Sequence, residues 1–317
     1  MQTLLIYGNI RLDSDAKLTM FKHTLPGWLD FWCSPALIRL RGKLQKEASE
    51  YAKQFEQVTV RTGSRYKSWR IQALADTAPL KPDYLFQFVE DHMPHPHSSS
   101  ASLLLTELSE MAVDAMPYSW FETFELSRHQ LAENHGLQGK STIVADLSRE
   151  DLAQYYEQSQ RYVLPLVSVF RFGLYERLAR SPFPVWRRYE VDSPFDFEQP
   201  RRATWFAPVR FALPTRPLGI CIDDDRGLVG SSAAAKGLYR GRVEGYIPDH
   251  YSSKIVVAMS GFNWSTLGNF GPMIKMFLSM LKRIYLTIES HFHEAVDRAI
   301  LRNQNRNRAS TPSNDAR

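Results

Sequence analysis

Hydrophobic positions near the start of the chain alternate between two spacings, one suited to buried strands and one to amphipathic helices. Leu4, Leu5, Ile6, Tyr7, Gly8, Asn9 and Ile10 read as a first strand, broken at Gly8 and Asn9. Residues 17–33 read as a helix interrupted at Pro26 and Gly27, and Ala36 to Leu40 as a second strand. Lys43 to Phe55 has helical composition, Gln57 to Val60 makes a third strand, Tyr66 to Ala75 a further helical segment, and Tyr84 to Val89 a fourth strand. Strands alternating with segments of helical length predict βαβ units: an α/β fold with a mostly parallel sheet and helices on both faces. The first strand starts almost at residue 1, so no preceding domain is expected, and the first residues lack the basic region and long apolar run of a signal peptide.

The fourth strand ends abruptly in Glu90, Asp91 and His92. Residues just past the carboxyl end of a buried parallel strand sit where open α/β sheets hold ligands. Two carboxylates and an imidazole there suit a divalent metal and, through it, a diphosphate. The plainer alternative is a solvated loop whose turn is set by Pro94 and Pro96. His95 and His97, separated by proline, read as solvated.

Leu218 to Ile222 repeats this grammar, a short apolar strand running into Asp223, Asp224 and Asp225. That run is either a solvated turn of mutually repelling carboxylates or a second part of a site. The glycines that follow carry no Gly-Lys-Ser or Gly-Lys-Thr closure, so they are not a Walker loop, and the absence of GxGxxG after the first strand argues against a dinucleotide-binding domain. Between the two acidic ends, a helix is expected from near Ala101 with Leu104, Leu108, Met111 and Ala115 on one face. Ser99 or Ser100 would cap it. Another starts at Ser148 to Asp151, and a third spans Val167 to Ala179. Loops and short strands are expected from Ser181 to Pro217.

Cys33 and Cys221 make neither a disulfide framework nor a zinc site, so the expected location is cytoplasmic. No stretch approaches the roughly 18–20 apolar residues that span a bilayer. Residues 274–308 carry four of the formal five positive charges, which argues against a nucleic-acid-binding face on the folded core. The same segment reads as a long helix from Pro272 to Leu301 with apolar residues at spacings of three or four. Two roles are open to it: packing on the domain or in a homo-oligomer, or lying in the plane of an anionic membrane surface on the inner face of the plasma membrane. Beyond Arg308 the tail is expected to be disordered.

Tyr7-Gly8-Asn9-Ile10-Arg11, the Phe21-to-Trp28 segment, Ile38-Arg39-Leu40-Arg41-Gly42-Lys43 and Phe88-Val89-Glu90-Asp91-His92, taken in that order, resemble bacterial glycosyltransferases of the GT-A fold. The resemblance is to inverting family 2-like enzymes of surface-polysaccharide (O-antigen or capsule) synthesis, and it covers residues 1–125 best. It implies a GT-A-like domain over 1–268, with a nucleotide half to about 125 and an acceptor half after it, then the basic helix at 269–308 and the tail at 309–317. It also implies a nucleotide-sugar donor, a glycan or lipid-linked glycan acceptor, and Mg²⁺ or Mn²⁺. Carried onto this chain, Tyr7, Asn9, Arg11, Arg41 and Glu90 lie at the nucleotide, and Asp91 and His92 hold the metal. The family's usual motif is Asp-x-Asp where this chain has Glu-Asp-His. Inversion needs a carboxylate near the acceptor hydroxyl; Asp224 and Asp225 are the first candidates, with Glu107 and Glu110 behind them. Nucleotidyl transfer would use the same acids and metal, and an inactive scaffold of the same fold would need neither.

Overall fold

The computed structural model describes residues 2–66, 68–96, 100–119, 137–153, 164–180, 206–223 and 232–241. The expected helix over 269–308, the tail after it, and Asp224 and Asp225 lie outside the described residues. The chain divides into two compact units: residues 1–64, 76–179 and 197–246 form the first, and 65–75, 180–196 and 247–317 the second. Of the second, the described part is Arg180 and the short run before Asp76, where the Gln72 side-chain oxygen accepts the backbone N–H groups of Arg65 and Tyr66.

Among the described residues the first unit is an α/β structure around a nine-stranded sheet. Its strands are β1 (Leu4–Arg11), β2 (Ala36–Arg41), β3 (Val58–Thr62), β4 (Tyr84–Phe88), β6 (Ala115–Pro117), β7 (Leu137–Gln138), β8 (Thr142–Leu147), β9 (Ser168–Arg171) and β10 (Val209–Pro214). They lie in the order β3-β2-β1-β4-β9-β6-β10-β8-β7. The first four are mutually parallel, as the βαβ pattern predicts. At β4 the sheet changes character, because β9 runs antiparallel between β4 and β6. A separate two-stranded ribbon pairs β5 (His92–Pro94) with β11 (Gly219–Cys221).

Helices cover both faces. Helices α1 (Asp15–Trp32), α2 (Gln45–Ala52) and α4 (Ala101–Glu110) pack with Ile6, Ile38, Phe86, Val169 and Met116 in one core. On the other face Tyr175, from the helix α5 (Phe172–Arg180), reaches Gln87 of β4, and Asp76, near the end of α3 (Trp69–Thr77), reaches Tyr7 of β1. Among the described residues no helix is long and apolar enough to cross a membrane.

Three local expectations are overturned, each by tertiary packing. β1 runs unbroken through Gly8 and Asn9, since Gly8 pairs with both Ile38 and Phe88. A Cβ on Gly8 would lie 2.8 Å from the Phe88 ring and 3.2 Å from Ile38, so here glycine gives neighbouring side chains room to cross the strand. α1 is likewise continuous through Pro26. Proline removes the N–H that would bond to the Lys22 carbonyl, but the Tyr51 hydroxyl donates to that carbonyl instead, at 2.8 Å. The stretch expected as one helix from Val167 to Ala179 divides into β9 and α5. Its first part has β-branched residues at alternate positions, and the unfilled ladder between β4 and β6 takes it up.

The α4 prediction holds for Leu104 and Leu108, both fully buried, but Ala115 belongs to β6 because the chain turns at Ala112 (φ 54°). Ser100 sits at the cap position without a capping bond, its hydroxyl facing Ser102. At Ser148 the expected helix start has reciprocal bonds: the Asp151 N–H donates to the serine hydroxyl and the Ser148 N–H to the Asp151 carboxylate.

Gly8→Ala should lower stability by about 1–3 kcal/mol, because the new methyl overpacks a filled interior. Urea unfolding of the purified variant checks this, and an unchanged midpoint would contradict the close approach of Phe88.

Candidate active site at two acidic strand ends

Beyond β4 the chain passes through Glu90 and Asp91 into β5, and α1 holds this passage by its main chain. Thr24 Oγ1 donates to the Glu90 carbonyl at 3.2 Å, and one helical turn later Trp28 Nε1 donates to the His92 carbonyl at 2.8 Å. Trp28 is itself fixed in an aromatic cluster, with ring centroids 4.6 Å from Phe86 and 5.0 Å from Tyr118. Gly27 lets Pro94 lie against the helix, since a Cβ there would be 3.1 Å from the proline ring.

The second acidic strand end arrives at the same place. β11 pairs antiparallel with β5 in the register Cys221↔His92, and the Ile222 N–H donates to the Asp91 carbonyl at 2.7 Å. Residues directly opposite in such a pair point to one face. Asp91, His92 and Cys221 each offer a ligand atom within 4.8 Å of the others. Asp223 follows, its carboxylate 3.9 Å from the Cys221 sulfur. Ala233 and Ala234 donate back to the carbonyls of Cys221 and Ile222, so the chain after the acidic run returns to β11.

The electrostatics divide the two adjacent carboxylates. Burial, with added repulsion from Asp91 and Asp223, pushes the Glu90 carboxyl up to about 7, against the pull of Lys17. Burial also opposes ionisation of Asp91, but the charge and hydrogen bond of His92 outweigh it and hold that carboxyl below the usual range. The Asp91 side chain nevertheless keeps 41% of its surface exposed, so this strand end is open to water. His92 is buried, with Nδ1 2.7 Å from Asp91 Oδ1. Its Nε2 is buried too, and has no hydrogen-bond partner among the described residues.

The other predicted residues are spread along the strand ends. Asn9 and Arg41 are buried at the carboxyl ends of β1 and β2, and Arg11 is paired with Asp13 at 2.7 Å. Tyr7 is fully buried and donates its hydroxyl to Asp76 Oδ2 at 3.2 Å, so that hydroxyl serves the fold rather than a ligand. Asp76, only 1% exposed, also takes both arms of the Arg39 guanidinium, at 2.5 and 2.7 Å, and Arg61 at 2.8 Å. Glu107 accepts from the Ser141 and Thr142 N–H groups and the Thr142 hydroxyl, which commits its carboxylate to the turn before β8. Sequence reasoning missed Cys221, Lys17 and the Asp76 cluster. Cys221 was legible only through the repeated strand-then-acid pattern that precedes Asp223.

The donor set fits a divalent cation in number and convergence, but one oxygen, one nitrogen and one sulfur do not suit Mg²⁺, which prefers oxygen ligands and water.

Two outcomes follow from this arrangement. Asp76→Asn should cost about 3 kcal/mol or more in urea unfolding, because Arg39 stays buried without its counter-charge. In metal-free protein Glu90→Gln should change the pH dependence of stability. A carboxyl raised from about 4.5 to about 7 stabilises the fold below the lower value, and that contribution is lost as pH rises through the upper one. The variant should therefore exceed the parent by up to about 2 kcal/mol at pH 8, discounted for solvent access, with the gap narrowing toward pH 5. A gap independent of pH would contradict the raised carboxyl.

No family model matches the chain, and no curated protein sequence matches it. Among solved structures it is similar to S. aureus TarS 1-349 in complex with UDP, at 8% identity and a TM-score of 0.43, over 69% of this chain and 60% of that one. It is also similar to the mannosyltransferase PcManGT from Pyrobaculum calidifontis in complex with GDP-Man and Mn²⁺, at 10% identity and a TM-score of 0.41, over 94% and 74% of the two chains. A third is CMP:2-keto-3-deoxy-manno-octonic acid synthetase complexed with CTP, at 9% identity and a TM-score of 0.36, over 67% and 89%. The chain thus spans 60% of the length of the TarS fragment. At such identities and TM-scores the chemistry of the site rests on its own residues.

Proposed function

We propose that this chain transfers a sugar from a nucleoside-diphosphate donor to a glycan hydroxyl, with inversion, in the crevice beyond β4. The observation that carries the reading is the meeting of two acidic strand ends, Glu90-Asp91-His92 and Asp223, through the β5–β11 pairing. Breaking a sugar–diphosphate bond places negative charge on the departing phosphate, and acceptor attack requires a proton to be removed. A crevice dense in carboxylates serves the second need directly. It can serve the first only with a cation between acids and phosphate.

Asp91 and His92 would hold that cation, which would supply positive charge toward the diphosphate. Glu90, next to Asp91, would lie at the nucleotide. Asn9, Arg11 and Arg41, at the ends of β1 and β2, are the polar and cationic groups nearest in the fold order to a nucleotide lying across the parallel strands. The general base comes from the acidic run that Asp223 opens, with Asp224 and Asp225 as the candidates. The similar structures in complex with UDP and with GDP-Man name only the nucleotides to test first.

Isothermal titration with UDP and GDP, with and without Mn²⁺ or Zn²⁺, tests the reading. Metal-dependent binding of one nucleotide is expected, weakened at least about tenfold, or about 1.4 kcal/mol, in Asp91→Ala. Binding of neither nucleotide would overturn it. Release of pyrophosphate rather than a nucleoside diphosphate during turnover would replace sugar transfer with nucleotidyl transfer.

A further inference from the structure

Cys221 gives the crevice a chemistry that acidic strand ends alone do not have. Its side chain is buried opposite His92 in the β5–β11 ribbon, and Asp91 completes a set in which oxygen, nitrogen and sulfur converge. We propose that Asp91, His92 and Cys221 form a thiolate-containing site for a borderline-soft divalent cation, Zn²⁺ or its Co²⁺ surrogate, in preference to Mg²⁺. A fourth position is left for water or, resting on the proposed function, for a diphosphate oxygen.

The donor types decide the class of cation. Thiolate and imidazole select Zn²⁺ and similar ions, whereas oxygen-rich sets suit Mg²⁺, Ca²⁺ and Mn²⁺. Three protein ligands with one open position is the arrangement of zinc sites that bind or activate a ligand, as distinct from closed structural ones. Metal–ligand bonds of about 2.0–2.3 Å place tetrahedral ligand atoms roughly 3.5 Å apart. The ligand atoms here already lie within 4.8 Å of one another, so small side-chain rotations close the set.

A second observation points to a ligand. His92 Nε2 is enclosed with no hydrogen-bond partner among the described residues, while Nδ1 faces Asp91. A cation at Nε2 satisfies the enclosed nitrogen once Asp91 turns from Nδ1 to the metal, and it also offsets the repulsion that Asp91 and Asp223 exert on Glu90. Binding would release the Cys221 proton to solvent as the sulfur becomes a thiolate. The same three residues could be read as a cysteine nucleophile with a histidine base. Against this, Cys221 is only 6% exposed, and neighbouring carboxylates disfavour a thiolate that has no cation beside it.

The experiment uses the full chain carrying Cys33→Ser, which removes the exposed thiol and leaves Cys221 as the one cysteine. Addition of Co²⁺ should produce a near-ultraviolet thiolate-to-cobalt charge-transfer band that Cys221→Ser abolishes. Zn²⁺, but not Mg²⁺, should slow iodoacetamide alkylation of Cys221 at least about tenfold, a readout needing no substitution within the site. Competition with a chromogenic chelator should show Zn²⁺ affinity falling at least about tenfold in Cys221→Ser, since even an outer-shell partner is worth that much. Circular dichroism of that variant separates ligand loss from misfolding.

Co²⁺ binding without the band, or alkylation indifferent to Zn²⁺, would overturn the site. So would rapid alkylation of metal-free Cys221 that His92→Ala slows, which would identify a nucleophile instead. A thiolate band in a protein that binds no nucleotide would leave the metal site standing and remove the proposed function. Mn²⁺-dependent nucleotide binding without the band would do the reverse.

Discussion

The chemistry of the crevice depends on one short piece of backbone pairing, the three-residue ribbon of β5 and β11. Side chains alternate across a strand, so a shift of one residue would turn Cys221 away from His92 and carry Asp223 with it. Three residues of ladder are too few to fix a register unaided. It is fixed from outside, by the Ile222 N–H on the Asp91 carbonyl, by the His95 N–H on the Leu218 carbonyl, and by the return of Ala233 and Ala234 onto β11. A small apolar cluster of Met20, Ile220, Ile222, Ala233 and Tyr239 backs this arrangement and ties it to α1.

α1 therefore links the sheet to the site. Its core face meets Phe86 and Phe88, which bring the end of β4 to the crevice, and its Thr24–Trp28 face takes the backbone beyond. An intact helix through Pro26 is needed for these two residues to act one turn apart. The Tyr51 hydroxyl supplies the bond that proline removes, so α2 has a part in aligning the site that no local pattern in α1 reveals.

Much of this was legible in the sequence where spacing and burial agree. The strands at Leu4, Ala36, Val58 and Tyr84, the helices between them and the parallel pairing follow from alternating apolar periods. Both acidic strand ends were visible as sudden changes from apolar to charged residues. Their meeting was not, because antiparallel contact between His92 and Cys221 joins positions far apart in the chain and leaves no periodic trace. β9 was hidden for a related reason: Ser168 to Arg171 is too short a run to stand apart from the helix that follows it until β4 and β6 offer it a ladder. Arg39 and Asp76 were illegible as a pair, since charged residues are expected at the surface and nothing local shows that they neutralise each other inside.

The bonds from Thr24 and Trp28 have a consequence for how such a crevice can diversify. They grip carbonyl oxygens, which every amino acid possesses, and do not depend on which side chains stand at positions 90, 91 and 92. The position of the loop and the identity of its reactive groups are thus specified by separate parts of the molecule. Such a socket can exchange its chemistry by single substitutions while its frame stays where it is, which gives variation a low barrier at the point where new specificity arises.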